Sequence, residues 1–328
     1  MFVNHIPFLP DRFEPGTYRV YGITLRSSLP LPADTVRAVA ADVEVEYRSQ
    51  SLACAKPEVT LRMRFERTPQ GVDVEYRGQA GNVSRFLISE GGGRIEMKTS
   101  MPPVPGLWYV LLGYPLATSL YLRRTAVLHA SAVIAGGSVI LVAGRSGSGK
   151  SATTAAFLTA GAAMLADDLC ALTFQEGCLY VQPGYPVLRL SPDIARVLGC
   201  ADRALPRIFE ESVPDDKRWV DARSLPGGFH SSSAPLRAIY ILSDGRRGAG
   251  APHMEPLEPP KACFSLKPHG YGWRHLDEPS CITLSWCAEI AAEVPVFRLT
   301  MPEGLTRLAL AAEAIVRHAE SLATAGKP

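Results

Sequence analysis

The segment Ser138–Asp168 reads SVILVAGRSGSGKSATTAAFLTAGAAMLADD and indicates the fold of the chain. It begins with an apolar, β-branched run that predicts a strand, and it continues through a glycine-rich loop. The alanine-rich stretch Ser151–Ala160 then predicts a helix. A second apolar run, Ala163–Ala166, predicts another strand, and Asp167 and Asp168 follow it directly. This order of strand, loop, helix and strand predicts an α/β core.

The loop matches the pattern G-x-x-x-x-G-K-[ST] at every fixed position. Its residues are Gly144, Arg145, Ser146, Gly147, Ser148, Gly149, Lys150 and Ser151, and Ala152 follows. Glycines allow backbone N–H groups to turn inward around a phosphate, and the following helix adds the positive end of its dipole. Residues 144–152 are therefore predicted to bind the phosphates of ATP. We expect Lys150 to reach the β- and γ-phosphates and Ser151 to bind the Mg²⁺ that accompanies them.

The alternative for the loop is a chance glycine-rich turn that caps a helix, and the flanking strands argue against it. The carboxylates of Asp167 and Asp168 lie at the predicted carboxyl end of a strand, where open α/β sheets bind their ligands. One carboxylate can hold Mg²⁺ while the other accepts a hydroxyl proton. The alternative for this pair is a solvated strand end or a helix cap.

Three features together resemble a known family. They are His129 in the run VLHASAV, the loop GRSGSGKS, and ADD about one strand later. Over residues 107–320 they resemble the catalytic domain of HPr kinase/phosphorylase and its relatives. The resemblance implies a fold like that of phosphoenolpyruvate carboxykinase and the ATP-dependent phosphorylation of a serine. By position, it implies that Lys150 and Ser151 bind phosphate and metal, that Asp167 is the base, that Asp168 is a metal ligand, and that His129 lies beside the phosphates.

The chain also departs from that family. Arg145 stands where the bifunctional enzymes have aspartate, and QPGYPVLRLSPD follows the aspartate pair where they have E-x-R-G-x-G. The stretches YRVYGITLRSSLPLP and PGYPVLRL are more similar to the kinases associated with lasso-peptide biosynthesis. This implies a serine kinase that acts on a peptide or small protein, with the C-terminal serine of a lasso-peptide precursor as the favoured acceptor. Two alternatives stay open: a bifunctional HPr kinase/phosphorylase of carbon regulation, and a non-catalytic nucleotide-binding regulatory protein.

Composition restricts the class of protein. The 328 residues are 47% hydrophobic, which is enough for a full core, and the net charge of +2 does not indicate binding to nucleic acid or membrane. Seven scattered cysteines without a C-x-x-C pair fit reduced thiols. The start, MFVNHIPFLPDRF, lacks the pattern of a signal peptide, and the apolar run Leu107–Leu122 predicts a buried helix. We therefore expect a cytoplasmic protein, and homo-oligomerisation is left open.

Two domains are predicted. Residues 1–103 alternate apolar and polar residues and predict an antiparallel sheet of about five or six strands that serves in substrate docking or support. Residues 104–328 are predicted to form the P-loop kinase domain. The expected N-terminal strands are Val43–Tyr47, Val59–Phe65, Val72–Tyr76, Phe86–Ile88 and Ile95–Met97.

Two further residues are candidates for catalysis. The Gly136-Gly137 turn signal predicts that His129 lies on a strand hairpinned to the one that feeds the loop. A lone histidine in an apolar strand is more often a core residue. Lys217 lies in a long segment without periodicity, Leu205–Ser233, which is typical of a functional or a disordered loop. It is a candidate to clamp phosphates, and the alternative is a solvated loop.

Overall fold

The computed structural model describes residues 16–38, 40–50, 52, 62–78, 82–101, 105–197, 199–200, 205–208, 216–243, 250–271, 276, 281–302, 304 and 307–324. It has a mixed α/β architecture. The chain divides into two compact units. The first comprises Met1–Thr125 and Leu205–Trp219, and the second comprises Ala126–Ala204 and Val220–Pro328.

The first unit is built on a sheet that has eight strands among the described residues. Its strands are β1 Gly16–Val20, β2 Ile23–Ser27, β3 Asp34–Thr35, β4 Val43–Ser49, β5 Arg62–Thr68, β6 Gly71–Arg77, β7 Val83–Ser89 and β8 Arg94–Thr99. They are arranged in the order β3-β1-β2-β4-β8-β7-β6-β5. Buried apolar residues alternate with more exposed residues in several of these strands, as Ile95 and Met97 do in β8, because successive side chains point to opposite faces of a sheet.

Strand direction differs from the prediction. Strands β5 to β8 form the expected antiparallel meander, but β4 pairs in parallel with both β2 and β8. The prediction of a wholly antiparallel sheet is therefore wrong. The chain runs from β2 to β3, on the far side of β1, before it returns to the other side of β2. Periodicity indicates which face is buried and does not report strand direction. Residues 59–61 of the predicted strand Val59–Phe65 lie outside the described residues, as does the segment 1–13.

Two helices replace the single helix predicted for Leu107–Leu122. They are α1 Pro105–Leu112 and α2 Tyr114–Leu122. The break lies at Gly113, which caps α2, and Pro115 occupies the first turn, where its missing N–H needs no partner. Helix α2 packs against β7 and β8. The structure thus groups these helices with the β-rich unit, whereas the sequence-based boundary between residues 103 and 104 grouped them with the P-loop region.

The second unit contains a second sheet, with nine strands in the part of the chain that the structure describes. The strands are β9 Ala126–Leu128, β10 Ala130–Ala135, β11 Ser138–Ala143, β12 Ala163–Ala166, β13 Cys170–Gln175, β14 Cys178–Val181, β17 Ala234–Leu242, β18 His253–Leu257 and β19 Val296–Thr300. The order is β12-β10-β11-β17-β14-β13-β9, with β19 beside β17 and β18 beside β19. Strands β15 Val187–Leu190 and β16 Arg218–Asp221 form a small separate sheet.

One antiparallel ribbon joins the two ends of this strand order. Strand β10 pairs with β12, and β9 pairs with β13. Ala132 faces Ala166 and Leu128 faces Cys170, so the two paired stretches continue one register across a gap of three residues on each side. Since β9 and β10 are consecutive in the chain but lie at or near opposite ends of the order, the sheet curls round on itself. The gap is formed by residues 129–131 and 167–169, and it lies where the two ends of the sheet meet.

Helices pack against this sheet and against β15. They are α3 Lys150–Thr159, α4 Pro192–Val197, α5 Pro259–Leu266, α6 Cys281–Glu293 and α7 Leu308–Thr324. Helices α3 and α7 pack against each other, and Phe157 of α3 and Ile315 of α7 are fully buried in one core with Tyr240 of β17. The predicted hairpin at Gly136-Gly137 is present, with both glycines at positive φ. Within the described ranges, no helix is both long and apolar enough to span a bilayer.

The turn between β7 and β8 lies close to the backbone of α2, and this contact leads to a testable prediction. Gly92, in the turn between β7 and β8, has a φ of +70°, and a Cβ at this position would lie 2.4 Å from the backbone oxygen of Ser119. The Ser119 hydroxyl donates a 2.5 Å hydrogen bond to the Gly92 carbonyl. Gly92→Ala should lower the free energy of unfolding in urea by about 2 kcal/mol, because a side chain adds left-handed strain and a clash with α2.

The matched control is Gly91→Ala, since a Cβ at Gly91 meets nothing within 4 Å. This variant should stay within about 0.5 kcal/mol of the parent protein. Equal stabilities for the two variants would contradict the docking of the turn on α2.

Candidate functional site

The glycine-rich loop connects the end of β11 at Ala143 to the start of α3 at Lys150. Gly147 has a φ of +79°, and Gly149, the residue that caps α3, has a φ of +102°. Side chains rarely adopt these left-handed conformations, so the glycines of the motif are needed for the backbone path. The loop thus ends where helix α3 begins, which is the place in the fold where anion-binding loops present their N–H groups.

Lys150 lies along this loop. Its ammonium donates to the Gly144 carbonyl at 2.8 Å and to the Arg145 carbonyl at 3.1 Å, and the residue is only 8% exposed. These bonds hold a buried positive charge at the loop. Ser151, the next residue, is half-buried, and Ala152 packs at the edge of the hydrophobic core.

One side chain of the loop is suited to bind a phosphate oxygen. The Ser148 hydroxyl oxygen is buried and has no hydrogen-bond partner among the described residues. A Cβ at Gly144 would approach this oxygen to 2.4 Å, so only glycine leaves room for the hydroxyl. A buried polar atom without a partner is costly, and an anionic oxygen in the loop would satisfy it.

The aspartate pair lies at a tight turn. Strand β12 ends at Ala166, and the Leu169 N–H donates to the Asp167 carbonyl at 2.9 Å across Asp168, which has a φ of +70°. This is a γ-turn, a conformation that is strained for a residue with a side chain. The bend breaks the strand alternation that would send neighbouring carboxylates to opposite faces.

Asp167 is held by neutral donors. The Ser131 hydroxyl donates to its Oδ1 at 2.6 Å, and the Arg189 backbone N–H lies 3.5 Å from its Oδ2. The residue is 6% exposed. A carboxylate has about four acceptor sites, and these two contacts use two of them. Asp167 can therefore accept a further hydrogen bond.

Asp168 is held by three side chains. The Arg189 guanidinium lies 2.5 Å from its Oδ1, His129 Nε2 lies 3.1 Å from the same oxygen, and the Tyr271 hydroxyl donates to Oδ2 at 3.3 Å. An ionised carboxylate only accepts hydrogen bonds, so Nε2 of His129 carries its proton here. Burial alone would raise the pKa of Asp168, but Arg189, the hydrogen bond and charge of His129, and the charge of Lys150 hold it well below its usual range.

His129 lies outside regular structure. The prediction that it belongs to a strand is wrong, because it forms the bend between β9 and β10. Its backbone N–H donates to the His269 carbonyl at 2.6 Å, and its ring meets the Tyr271 ring edge-on, with 5.5 Å between centroids. The bend is the reason that the imidazole can face Asp168 from the opposing strand.

The thiol of Cys170 lies beside the same gap in the ribbon. It donates to the Ala130 carbonyl at 3.2 Å and is fully buried. Burial raises the pKa of this thiol, and the charges of Asp167 and Asp168 raise it further. The side chain is thus a neutral thiol that closes the ribbon.

The structure brings together His129, Asp167 and Asp168, and the charge of Lys150 acts on Asp168. Sequence reasoning missed Ser131, Arg189 and Tyr271. One signal was available for Arg189, which is the single charge in the apolar run PVLRL. Lys217 belongs to the first unit, and its role in catalysis stays a prediction.

The residues that can hold Mg²⁺ are few. Within the described ranges, no group of three or more histidine, cysteine or carboxylate side chains has the geometry of a metal site. A protein that binds Mg²⁺ through substrate phosphates needs only one or two ligands of its own. Ser151 and Asp168 are the two oxygen ligands that the sequence predicts for such a site.

Comparisons with known proteins identify no family for the chain. No family model matches the chain, and no curated protein matches it. Among solved structures, the chain is similar to the Hpr(Ser) kinase/phosphatase from Coxiella burnetii, with 15% identity over 61% of this chain and 99% of that one. The TM-score is 0.34, which is too low to support an inference on fold or function.

The Asp168–Arg189 pair makes a prediction about stability. Asp168→Asn would remove the negative charge that faces the Arg189 guanidinium at a site where the two side chains are only 17% and 10% exposed. Removing one partner of a buried pair should lower the free energy of unfolding by about 3 kcal/mol. The control Asp193→Asn breaks an exposed pair with Arg196, and we expect it to cost less than about 1 kcal/mol.

The pH dependence follows from the lowered pKa. A carboxyl whose pKa falls on folding adds stability above its unfolded pKa, about 3.8 for aspartate, and this stability is lost as the pH falls. The difference between wild type and Asp168→Asn should be constant above about pH 5 and shrink below about pH 4. Chemical denaturation between pH 3 and 7 measures it, and a difference that grows on acidification would contradict the assignment.

Proposed function

We propose that the chain is an ATP- and Mg²⁺-dependent serine kinase that phosphorylates a peptide or small protein. One observation carries the proposal. A glycine-rich loop with a buried lysine leads into helix α3, and two carboxylates follow at a γ-turn beside His129. A phosphate-binding loop alone would support any nucleotide-binding protein. The second carboxylate supports group transfer, because a base that takes the acceptor proton is needed in addition to a metal ligand.

Each residue of the site has a proposed role. The N–H groups of residues 144–152 and the ammonium of Lys150 bind the phosphates, and Lys150 exchanges its carbonyl partners for phosphate oxygens. Ser151 and Asp168 hold Mg²⁺, which neutralises phosphate charge when bound. Asp167 orients the acceptor hydroxyl and accepts its proton as the serine oxygen bonds to the γ-phosphorus and the bond to ADP breaks. His129 keeps Asp168 in place beside the phosphates.

The acceptor rests on sequence resemblance alone. The stretches YRVYGITLRSSLPLP and PGYPVLRL resemble kinases of lasso-peptide biosynthesis, which favours the C-terminal serine of a precursor peptide. We assign substrate docking to the β-rich region and phosphate clamping to Lys217 as parts of the same proposal. Neither assignment is needed for the chemistry at the loop.

Lys150→Ala tests the proposal. It should abolish ATP–Mg²⁺ binding in calorimetry and the transfer of one phosphate to a serine-containing peptide in mass spectrometry, because a methyl group cannot offset phosphate charge. The matched control is Lys261→Ala in the same unit, where the side chain is 53% exposed and pairs with Glu255. The control should keep both binding and transfer.

Three results would contradict parts of the proposal. Wild-type binding and turnover in Lys150→Ala would remove the phosphate-loop assignment. Tight ATP binding without transfer to any peptide would favour a non-catalytic nucleotide-binding protein. Rapid ATP hydrolysis that no peptide changes would favour an ATPase.

The two aspartates should have separable roles. Asp167→Asn keeps its hydrogen-bonding shape but loses the base, so transfer should slow by roughly 100-fold while nucleotide affinity stays the same. Asp168→Asn should instead shift the Mg²⁺ concentration needed for half-maximal rate upward, with activity partly recovered at high Mg²⁺. Transfer rates measured against Mg²⁺ concentration at a temperature where both variants are folded decide this. The opposite pattern would exchange the two assignments.

A further inference from the structure

Arg189 is a buried charge in an apolar strand. It lies in β15, in the run Val187–Leu190, where all four residues are buried. Its guanidinium lies 2.5 Å from Asp168 Oδ1, and its backbone N–H lies 3.5 Å from Asp167. A single residue thus contacts both candidate carboxylates, one with its side chain and one with its main chain.

The contact with Asp168 differs from the other two contacts of that carboxylate. Tyr271 donates a neutral hydrogen bond, and His129 needs only a neutral imidazole to donate its own. Arg189 is permanently charged, so among these three partners it is the one that cancels the carboxylate charge under all conditions. The γ-turn fixes the carboxylate in front of it.

A divalent cation at Asp168 would meet this guanidinium. Two cations that share one carboxylate oxygen repel each other strongly at a site this buried. The metal can therefore bind only when Arg189 moves away from Asp168 or when a ligand adds negative charge beside the two cations. The phosphates of a nucleotide supply that charge, and they also offer the guanidinium a new bidentate partner.

We propose that Arg189 is a positioning residue that occupies the cation position at Asp168 until a divalent cation enters together with a nucleotide. This inference rests on the proposed function, since it takes Asp168 as a metal ligand. It adds a residue that the loop motif does not contain. It also adds an order to binding, in which the metal alone is excluded and the metal–nucleotide complex is admitted.

Mn²⁺ binding measured by electron paramagnetic resonance tests the inference without any turnover. The full chain is titrated with Mn²⁺ alone and then with Mn²⁺ in the presence of a non-hydrolysable ATP analogue. Wild type should bind Mn²⁺ weakly alone and tightly with the analogue. Arg189→Gln should bind Mn²⁺ alone about tenfold more tightly than wild type does, because the competing charge is gone.

Three further variants separate this role from a structural one. Arg189→Lys keeps the competing charge and should stay within about threefold of wild type for Mn²⁺ alone. Arg196→Gln removes an arginine from an exposed pair with Asp193 and should change nothing. Arg189→Gln combined with Asp168→Asn should lose the gain in Mn²⁺ affinity. The gain depends on the Asp168 carboxylate that the loss of Arg189 makes available to the metal.

A folding defect in Arg189→Gln does not remove the test. Mn²⁺ should raise the melting temperature of that variant by more than it raises that of wild type, because the metal replaces the lost cation. The double variant should show no such rise. An Arg189→Gln protein that neither folds more stably with Mn²⁺ nor binds it more tightly overturns the inference.

Failure of the inference and failure of the proposed function give different results. If wild type binds Mn²⁺ with the ATP analogue but Arg189→Gln gains no affinity for Mn²⁺ alone, only the role of Arg189 is wrong. If no variant binds Mn²⁺ even with the analogue, the metal site at Asp168 is wrong, and the inference fails with it.

Discussion

The site depends on a gap in one antiparallel ribbon. Strand β9 pairs with β13, and β10 pairs with β12; the residue pairs that flank the gap share one register, but the ladder stops for three residues on each side. Side chains close the gap: Ser131 reaches Asp167, His129 reaches Asp168, and the Cys170 thiol reaches the Ala130 carbonyl. A buried backbone that leaves its ladder must find other partners, and here the His129 N–H donates to the His269 carbonyl and the Leu169 N–H donates to the Asp167 carbonyl. The side chains at the gap include His129, Asp167 and Asp168, to which the proposed function assigns roles.

Much of this core could be predicted from sequence, for a physical reason. The strand, loop, helix and turn from Ser138 to Ala166 depend on local signals, namely apolar periodicity and glycines at left-handed positions, and both are visible in a short window. The sequence placed Asp167 and Asp168 at the end of a strand, and the structure adds the bend at Asp168. The helix break at Gly113 was visible in the glycine and proline there, although a single helix was predicted.

The partners of the carboxylates could not be predicted in this way. Ser131, Arg189 and Tyr271 come to Asp167 and Asp168 from distant points in the sequence, and only the curl of the sheet and the path through β15 bring them close. His129 was predicted to lie on a strand, but it lies at a bend, which the apolar residues on both sides of it hid in the sequence. In the first unit, the parallel pairing of β4 was missed for a similar reason: burial patterns carry no information on strand direction.

Charge balance connects these observations. The described site holds two carboxylates, Asp167 and Asp168, and two permanent or near-permanent cations, Lys150 and Arg189. Each cation already has partners: Lys150 bonds the loop carbonyls, and Arg189 pairs with Asp168. Such a site is close to neutral before any ligand enters, so a bare divalent cation or a bare triphosphate would each leave buried charge uncompensated. A metal–nucleotide complex brings both signs together. If the proposed function holds, the ion pairing of Arg189 and the hydrogen bonds of Lys150 would therefore also select the metal-bound form of the nucleotide.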